Sequence, residues 1–401
     1  MSRSEHLEAG ARRLSVALLC DYREEEWRSM DYVGEMLLEQ FNTSLARRIE
    51  PTPVVPEFQR RAVRVPFLSR KKAFTADRAL NRMWDYPRFV SKLPDYDILH
   101  VVDHSYSHLL NSVPGTPSVV TCHDLDAFRA LTEPEEEPRS AAFRWMVARL
   151  LKGLRRATHV TCDTSAVRDE VLRHTLLSAQ RVTVVHNGVH PSCSAQPDSM
   201  VDAELARLLG EASGSNLYLM HVGTTIQRKN IDLLLRLFAG VCARYPGARL
   251  IRVGGPLTLA QQDQARVLGI EGRVLELPFL SRAVLAAAYR KAHLVLQPSL
   301  REGFGLPVAE AMACGTPVVA SDIPVLREVG GNEASYCNPT DVDGWVTCTL
   351  GLLEESSTDP VRWQSRQRGA IERASQFSWA ESARKIADVY DLVREQHGAT
   401  R

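Results

Sequence analysis

Short apolar runs without polar alternation recur along this 401-residue chain, and segments of helical periodicity fill the spaces between them. The first series is LSVALLC (14–20), ILHVVD (98–103), SVVTC (118–122), HVTCD (159–163) and VTVVHNG (182–188). The second is LYLMHVG (217–223), RLIRVGG (249–255), RVLELP (273–278), HLVLQPS (293–299) and PVVAS (317–321). Uninterrupted apolar runs suit parallel strands covered on both faces. Strand–helix alternation then argues for doubly wound α/β sheets. The stretch between the series, residues 190–216, is rich in Ser, Pro and Gly and reads as a linker with one short helix. Two Rossmann-like domains are expected, over residues 1–195 and 196–376. An amphipathic helix over 377–401, with Ser378 at its N-cap, is expected to pack back on the first domain.

Composition narrows the function classes. The length suits two or three domains. Hydrophobic residues at 44% and charged residues at 24% exclude a largely disordered chain. Lys plus Arg is 49 against 48 Asp plus Glu, so the net charge of +1 disfavours a nucleic-acid binder. The eight cysteines form no CxxC pair and read as reduced, mostly buried thiols of a cytoplasmic protein. No apolar run reaches the roughly 18 residues of a membrane span. The first run leads into DYREEEW and reads as a strand rather than a signal peptide.

In open parallel sheets ligands bind beyond the carboxyl ends of the strands, so two such domains facing each other would form a cleft there. Three segments place polar residues at strand ends. In PSLREGFGLPVAEAMACGTPVVAS (298–321), Gly303 and Gly305 precede Pro307, which suits the first turn of a helix, and Gly315 ends that helix. The peptide N–H groups at such a helix start attract anions. Glu302 and Glu310 flank it, and a carboxylate accepts hydrogen bonds from vicinal hydroxyls; the bland alternative is a capping Glu and a surface Glu. In HVGTTIQRKNI (221–231), Arg228 and Lys229 stand near a helix start, where cations neutralise a diphosphate, unless they are only a solvated pair. In VVTCHDLDAF (119–128), His123 ends a strand as a ligand-facing group or as a satisfied structural histidine. Asp124-x-Asp126, Asp95-x-Asp97 and Asp341-x-Asp343 match a metal–diphosphate pattern, but three matches in one chain make the pattern weak. All three are read as structural, and no metal is expected.

Glu302, seven residues, then Glu310 within EGFGLPVAEAMACGTPVV resembles the signature of glycosyltransferase family 4 (group 1), and HVGTTIQRKN resembles the G-T-x-x-x-R-K-N form of its mannosyltransferase-like members. The resemblance implies the GT-B architecture of two Rossmann-like domains and retaining chemistry. By it, Glu310 holds the donor ribose, Glu302 contacts the transferred sugar, and Phe304, Gly305 and Leu306 offer backbone N–H groups. Gly223 and Thr224 line the donor site, with Arg228 in the cationic role of the Arg that many relatives carry where Thr224 stands. Arg252 and Gly254 border the base. His123-Asp124 resembles the family's His-Asp pair at the donor sugar, with His123 orienting the sugar, and His186-Asn187-Gly188-Val189 resembles its N-G-V motif.

The chain departs from the family after its first run, where DYREEEWRSMDYVGEML (21–37) replaces a Gly-rich loop with a single Gly34. Arg23, Trp27, Arg28 and Asp124 are the acceptor-side candidates, against a plain surface loop. The implied activity is retaining transfer of a hexose from a nucleoside-diphosphate sugar, GDP-mannose or a UDP-hexose, to a hydroxyl of a glycan or lipid-linked acceptor, as in polysaccharide biosynthesis. No cofactor is implied. The alternatives are an epimerase or phosphorylase on the same fold, or a non-catalytic sugar-nucleotide-binding subunit. The basic segments 58–74 and 143–158 suggest peripheral contact with the inner face of a membrane, against a helix that packs on its sheet and shows charge to water.

Overall fold

The apolar runs form two parallel six-stranded sheets, one in each of two units, in a computed structural model that describes residues 12–65, 69–174, 176–210 and 217–398. Parts of the expected first domain (1–11), basic segment (66–68), linker (211–216) and final helix (399–401) lie outside the described residues.

The first sheet has the order β2-β1-β3-β4-β5-β6, with β1 Leu14–Leu19, β2 Ile49–Val54, β3 Ile98–Val101, β4 Ser118–Cys122, β5 His159–Cys162 and β6 Val182–Val184. The second has the order β12-β11-β10-β7-β8-β9, with β7 Tyr218–Val222, β8 Arg249–Val253, β9 Val274–Leu277, β10 Leu294–Gln297, β11 Val318–Ser321 and β12 Ser335–Cys337. The apolar pattern predicts ten of these strands. It misses β2 and β12, which are edge strands. β2 reads IEPTPV, and prolines cannot donate to a ladder, so Pro51 and Pro53 are tolerated only where one side of the strand is unpaired. β12 is three residues long.

The second sheet explains why its runs are mostly apolar without strict alternation. Successive side chains point to opposite faces. Leu219, Leu250, Leu294, Leu296 and Val319 pack on one face with the helices Ile231–Arg244 and Val342–Thr358. Tyr218, Met220, Ile251, Val253, Val295 and Ala320 pack on the other with the helices Arg282–Lys291 and Leu306–Ala313. Both faces are covered, so apolar residues run through successive positions, and the buried polar side chains His221, Arg252 and Gln297 fall at the carboxyl ends of the strands.

The first unit comprises Met1–Asn187 with Trp379–Arg401, and the second Gly188–Ser378. The expectation drew the boundary at 195/196. Residues 188–195 bond into the second unit instead, with Val189 N–H donating to Phe377 O and Arg290 to Ser194 O. The final helix, Trp379–Gly398, lies in the first unit, where Trp379 Nε1 donates to Tyr32 Oη at 2.9 Å and Tyr390 Oη meets His100 Nδ1 at 2.6 Å.

The basic stretch 143–158 falls mostly in the helix Ala141–Arg156, which buries Val147, Leu150, Gly153 and Leu154. It is pressed onto the 3-10 segment His104–Ser112: a Cβ on Gly153 would sit 1.9 Å from the Ser107 carbonyl oxygen, so only glycine fits. The first two turns of this helix leave Phe143 and Trp145 exposed, Trp145 at 61%, with Arg149 over the Trp145 ring.

Candidate functional site

In the second unit the helix Leu306–Ala313 begins at Gly305, whose φ of +89° suits glycine, and Pro307 occupies its first turn. This helix carries Glu310 inward, 2% exposed. Tyr289 Oη donates to Glu310 Oε2 at 2.9 Å and Arg282 Nη1 to Oε1 at 3.4 Å. Burial raises the Glu310 carboxyl above its ordinary value, and Arg282 and Tyr289 pull against that. A carboxylate has about four acceptor positions. Two are used, which leaves capacity for two hydroxyls.

Glu302 lies in the loop before that helix and is spent differently. Its Oε1 accepts from Lys229 Nζ at 2.6 Å, Gln297 Nε2 at 2.7 Å and Ser299 Oγ at 2.7 Å. Its Oε2 accepts from Arg228 Nη1 at 3.3 Å. Burial alone would raise this carboxyl, but Lys229 and Arg228 overrule it and hold it down at about 2. Leu300 N–H donates to Arg228 O, and Arg228 Nη1 also reaches Arg301 O, so the loop 300–302 and the turn Gln227–Lys229 are tied together. Two cations thus face one carboxylate, and the cluster keeps a net positive charge. The structure brings Glu302, Arg228 and Lys229 together, whereas the sequence reading pairs Glu302 with Glu310, which has separate partners.

Gly223 and Gly254 end neighbouring strands β7 and β8. A Cβ on Gly254 would lie 2.4 Å from Gly223 O, and its φ is +126°. A Cβ on Gly223 would lie 3.2 Å from His221 Cε1 and 3.4 Å from Lys229 Cδ. The glycines therefore let the two turns touch. Arg252 does not border a base as expected: it is fully buried, its Nη1 donates to Gly223 O at 3.3 Å and its Nη2 donates to Gly255 O. It clamps the two turns. Thr224 is exposed on the first of them. The Phe304 ring is a core group, edge-on to Phe377 at 5.4 Å, so it offers a ligand at most its backbone; Leu306 opens the helix.

In the first unit His123 follows β4 and is buried. Its Nδ1 lies 2.7 Å from Asp163 Oδ2 and its Nε2 2.9 Å from Val102 O. Asp124 forms a turn, accepting from Asp126 N–H at 3.0 Å, and lies 3.7 Å from His104 Nε2. Arg23 pairs with Glu35 at the surface. Trp27, 48% exposed, donates to Glu25, and Arg28 is exposed at the start of the helix Arg28–Asn42. Arg82 connects the loop after β1 to the segment after β3: it pairs with Glu25 at 3.2 Å, donates to Ser105 O and lies over the Tyr106 ring.

The other carboxylate patterns have structural work. Asp97 accepts from Ser15 N–H and Oγ, and Asp341 caps the helix Val342–Thr358. Among the described residues, one group of metal-type ligands gathers, Glu133, Glu170 and His174. Arg129 donates to Glu136 and pairs with Glu133, which puts a cation beside that group.

Sequence reasoning missed Tyr289, Arg282, Gln297, Ser299, Asp103, His104 and Asp163. Asp103 and Asp163 had a signal: each is the last residue of an expected strand, ILHVVD and HVTCD. Tyr289 and Arg282 had none, since both sit in an ordinary helical pattern.

Comparison with known proteins identifies the family and the fold. The profile of the family described as Glycosyl transferases group 1 matches residues 209–367, and that of Glycosyltransferase Family 4 matches residues 36–192. The chain is 31% identical over 246 residues to a D-inositol 3-phosphate glycosyltransferase of Mycolicibacterium smegmatis, covering 58% of this chain and 54% of that one. It is 30% identical over 235 residues to the O-antigen chain mannosyltransferase RfbU of Salmonella typhimurium, covering 58% and 60%. The match thus spans little more than half of these relatives' own length. The solved structure of Anabaena Alr3699/HepE in complex with UDP and glucose matches with a TM-score of 0.70 at 19% identity, over 95% of this chain and 100% of that one. This likeness shows the two-domain α/β fold called GT-B.

Proposed function

Because the chain belongs to the group 1 glycosyltransferases of family 4, we propose that it transfers a hexose from a nucleoside-diphosphate sugar to a hydroxyl of a glycan or lipid-linked acceptor, with retention of configuration. The observation that carries this reading is the net-positive Arg228–Lys229–Glu302 cluster, with Glu310 eight positions on and two acceptor positions open.

The diphosphate leaves toward Arg228, Lys229 and the helix start after Gly305, where charge develops in the transition state. Glu302 keeps both cations in place before substrate arrives, so no side-chain reorganisation accompanies the step. Glu310 accepts from the two ribose hydroxyls. The leaving phosphate takes the acceptor's proton, and the acceptor oxygen bonds to the anomeric carbon from the face the phosphate has left. In this scheme Arg228 and Lys229 supply the positive charge, so no metal is required.

The donor is GDP-mannose or a UDP-hexose. The name of RfbU supports the first and the ligands of HepE support the second. A thermal-shift panel of sugar nucleotides tests the reading. At a hundredfold excess over Kd the true donor stabilises by about 2.7 kcal/mol, which raises Tm by on the order of 5–10 °C. A panel of GDP-, UDP- and ADP-sugars that all leave Tm unmoved would overturn it.

The protein's place is the cytoplasm, at the inner face of a membrane. The helix Ala141–Arg156 supports this, with no acidic residue and with Phe143 and Trp145 exposed. Among the described residues no helix is long and apolar enough to cross a membrane. The protein is expected to float with phosphatidylglycerol vesicles and not with phosphatidylcholine vesicles; failure to float with either removes the proposal.

A further inference from the structure

His123 has two acceptors and no donor around its ring. Asp163 Oδ2 stands 2.7 Å from Nδ1, and the Val102 carbonyl oxygen stands 2.9 Å from Nε2. A neutral imidazole carries one N–H, so one of those contacts would press a bare nitrogen against an oxygen lone pair. With Asp163 as a carboxylate, accepting from Asn187 through the same oxygen, both contacts become hydrogen bonds only when the ring carries two protons. Asp163 is itself fixed: its side chain is 3% exposed, and Asn187 Nδ2 donates to the same oxygen at 2.8 Å. The backbone N–H of His123 donates to His104 Nδ1 at 3.3 Å, which anchors the residue from the other side.

We infer that Asp163, backed by Asn187, is a positioning residue that holds His123 as an imidazolium, able to donate to a ligand oxygen but not to accept a proton from one. The charged and titratable surroundings agree. Asp103 and His104 face the ring from the segment after β3, Asp163 from the end of β5, and Asp124 from its own loop through His104. His100 on β3 is a further titratable ring, and burial followed by His123 holds it down at about 3, hence uncharged. For His123, burial opposes the charge, but Asp163 and then Asp103 outweigh it and raise the ring to about 9.

The consequence for catalysis rests on the transferase reading above. As an imidazolium the ring has only N–H donors to offer a sugar hydroxyl or phosphate oxygen, and a general-base role is closed to it. Asn187, which the sequence presents as part of an N-G-V motif, becomes part of the same device.

The test is the ring-nitrogen NMR spectrum of the full chain labelled with 15N-histidine, with the His123 signals assigned by their loss in His123→Gln. At about pH 7.5 both His123 nitrogens are expected at protonated shifts. Asp163→Asn removes the anion, so its His123 midpoint is expected to fall below that pH and one nitrogen to become bare. Under the transferase reading, kcat of Asp163→Asn then declines as pH rises through that lowered midpoint, while wild-type kcat holds until about pH 9. A bare His123 nitrogen in the wild type at about pH 7.5, or a doubly protonated ring in Asp163→Asn, overturns the inference. Should Asp163→Asn fail to fold, the wild-type spectrum decides alone. A doubly protonated His123 in a protein that binds no sugar nucleotide would sink the transferase reading and leave this inference standing.

Discussion

Replacing Glu310 with Ala is expected to abolish sugar-nucleotide binding while the chain still folds. The buried carboxylate offers two acceptor positions beyond those taken by Tyr289 and Arg282. Hydrogen bonds to a charged group contribute about 1.5–3 kcal/mol each. Losing two therefore weakens the donor by a factor of about 10² to 10⁴, which erases the thermal shift. The apo protein pays separately, since Tyr289 Oη loses its partner in the core, at about 1–3 kcal/mol. Glu310→Gln keeps an acceptor for Tyr289 and should recover most of that stability but little of the binding. The measurement is Tm with and without the donor for the three proteins. A full ligand shift in Glu310→Ala would show that the carboxylate faces only protein.

Lys229→Met is expected to lower kcat by about 10²- to 10³-fold, the usual effect of removing one preorganised group that faces developing charge. It also breaks a buried ion pair, but Glu302 keeps Arg228, Gln297 and Ser299. The stability loss should therefore be about 2 kcal/mol, below the 3–5 kcal/mol of a charge left with no partner. The pH dependence identifies the cause. In the wild type the Glu302 carboxyl is held at about 2, below its unfolded value, so its contribution is present above pH ~4.5 and is lost only as pH falls through about 2. In Lys229→Met, burial pushes the same carboxyl up. The variant's deficit then shrinks as pH falls, because protonation removes the buried charge. Denaturant unfolding of both proteins between pH 4 and 8 checks this. A deficit that stays constant across that range would mean that Lys229 stabilises by packing and not by its charge.

The fold was largely legible because its signals are local. A strand covered on both faces must be apolar at successive positions, so ten of the twelve strands announce themselves, and the Gly305–Pro307 frame announces its helix start. β2 escaped because an edge strand has one free side and tolerates Pro51 and Pro53, which by propensity argue against a strand. The Gly153 contact with the Ser107 backbone escaped too, since a glycine inside a helical pattern says nothing of what approaches it.

The site was legible in part. Glu302, Arg228 and Lys229 were each chosen for their own place at a strand end or helix start, and the three do meet. Arg252 was misread, because an arginine beside two glycines looks ligand-facing until its guanidinium is seen clamping Gly223 O and Gly255 O.

The sequence alone determined that this chain builds two covered parallel sheets and carries an acidic pair around a glycine-opened helix, because periodicity and turn chemistry act over a few neighbouring residues. Only the tertiary structure decided how those groups are charged and held. Lys229 reaches Glu302 across 73 positions, Tyr289 reaches Glu310 across 21, and Asp163 reaches His123 across 40. Protonation and reach depend on what burial brings alongside a side chain, and no local pattern records a partner supplied by another strand.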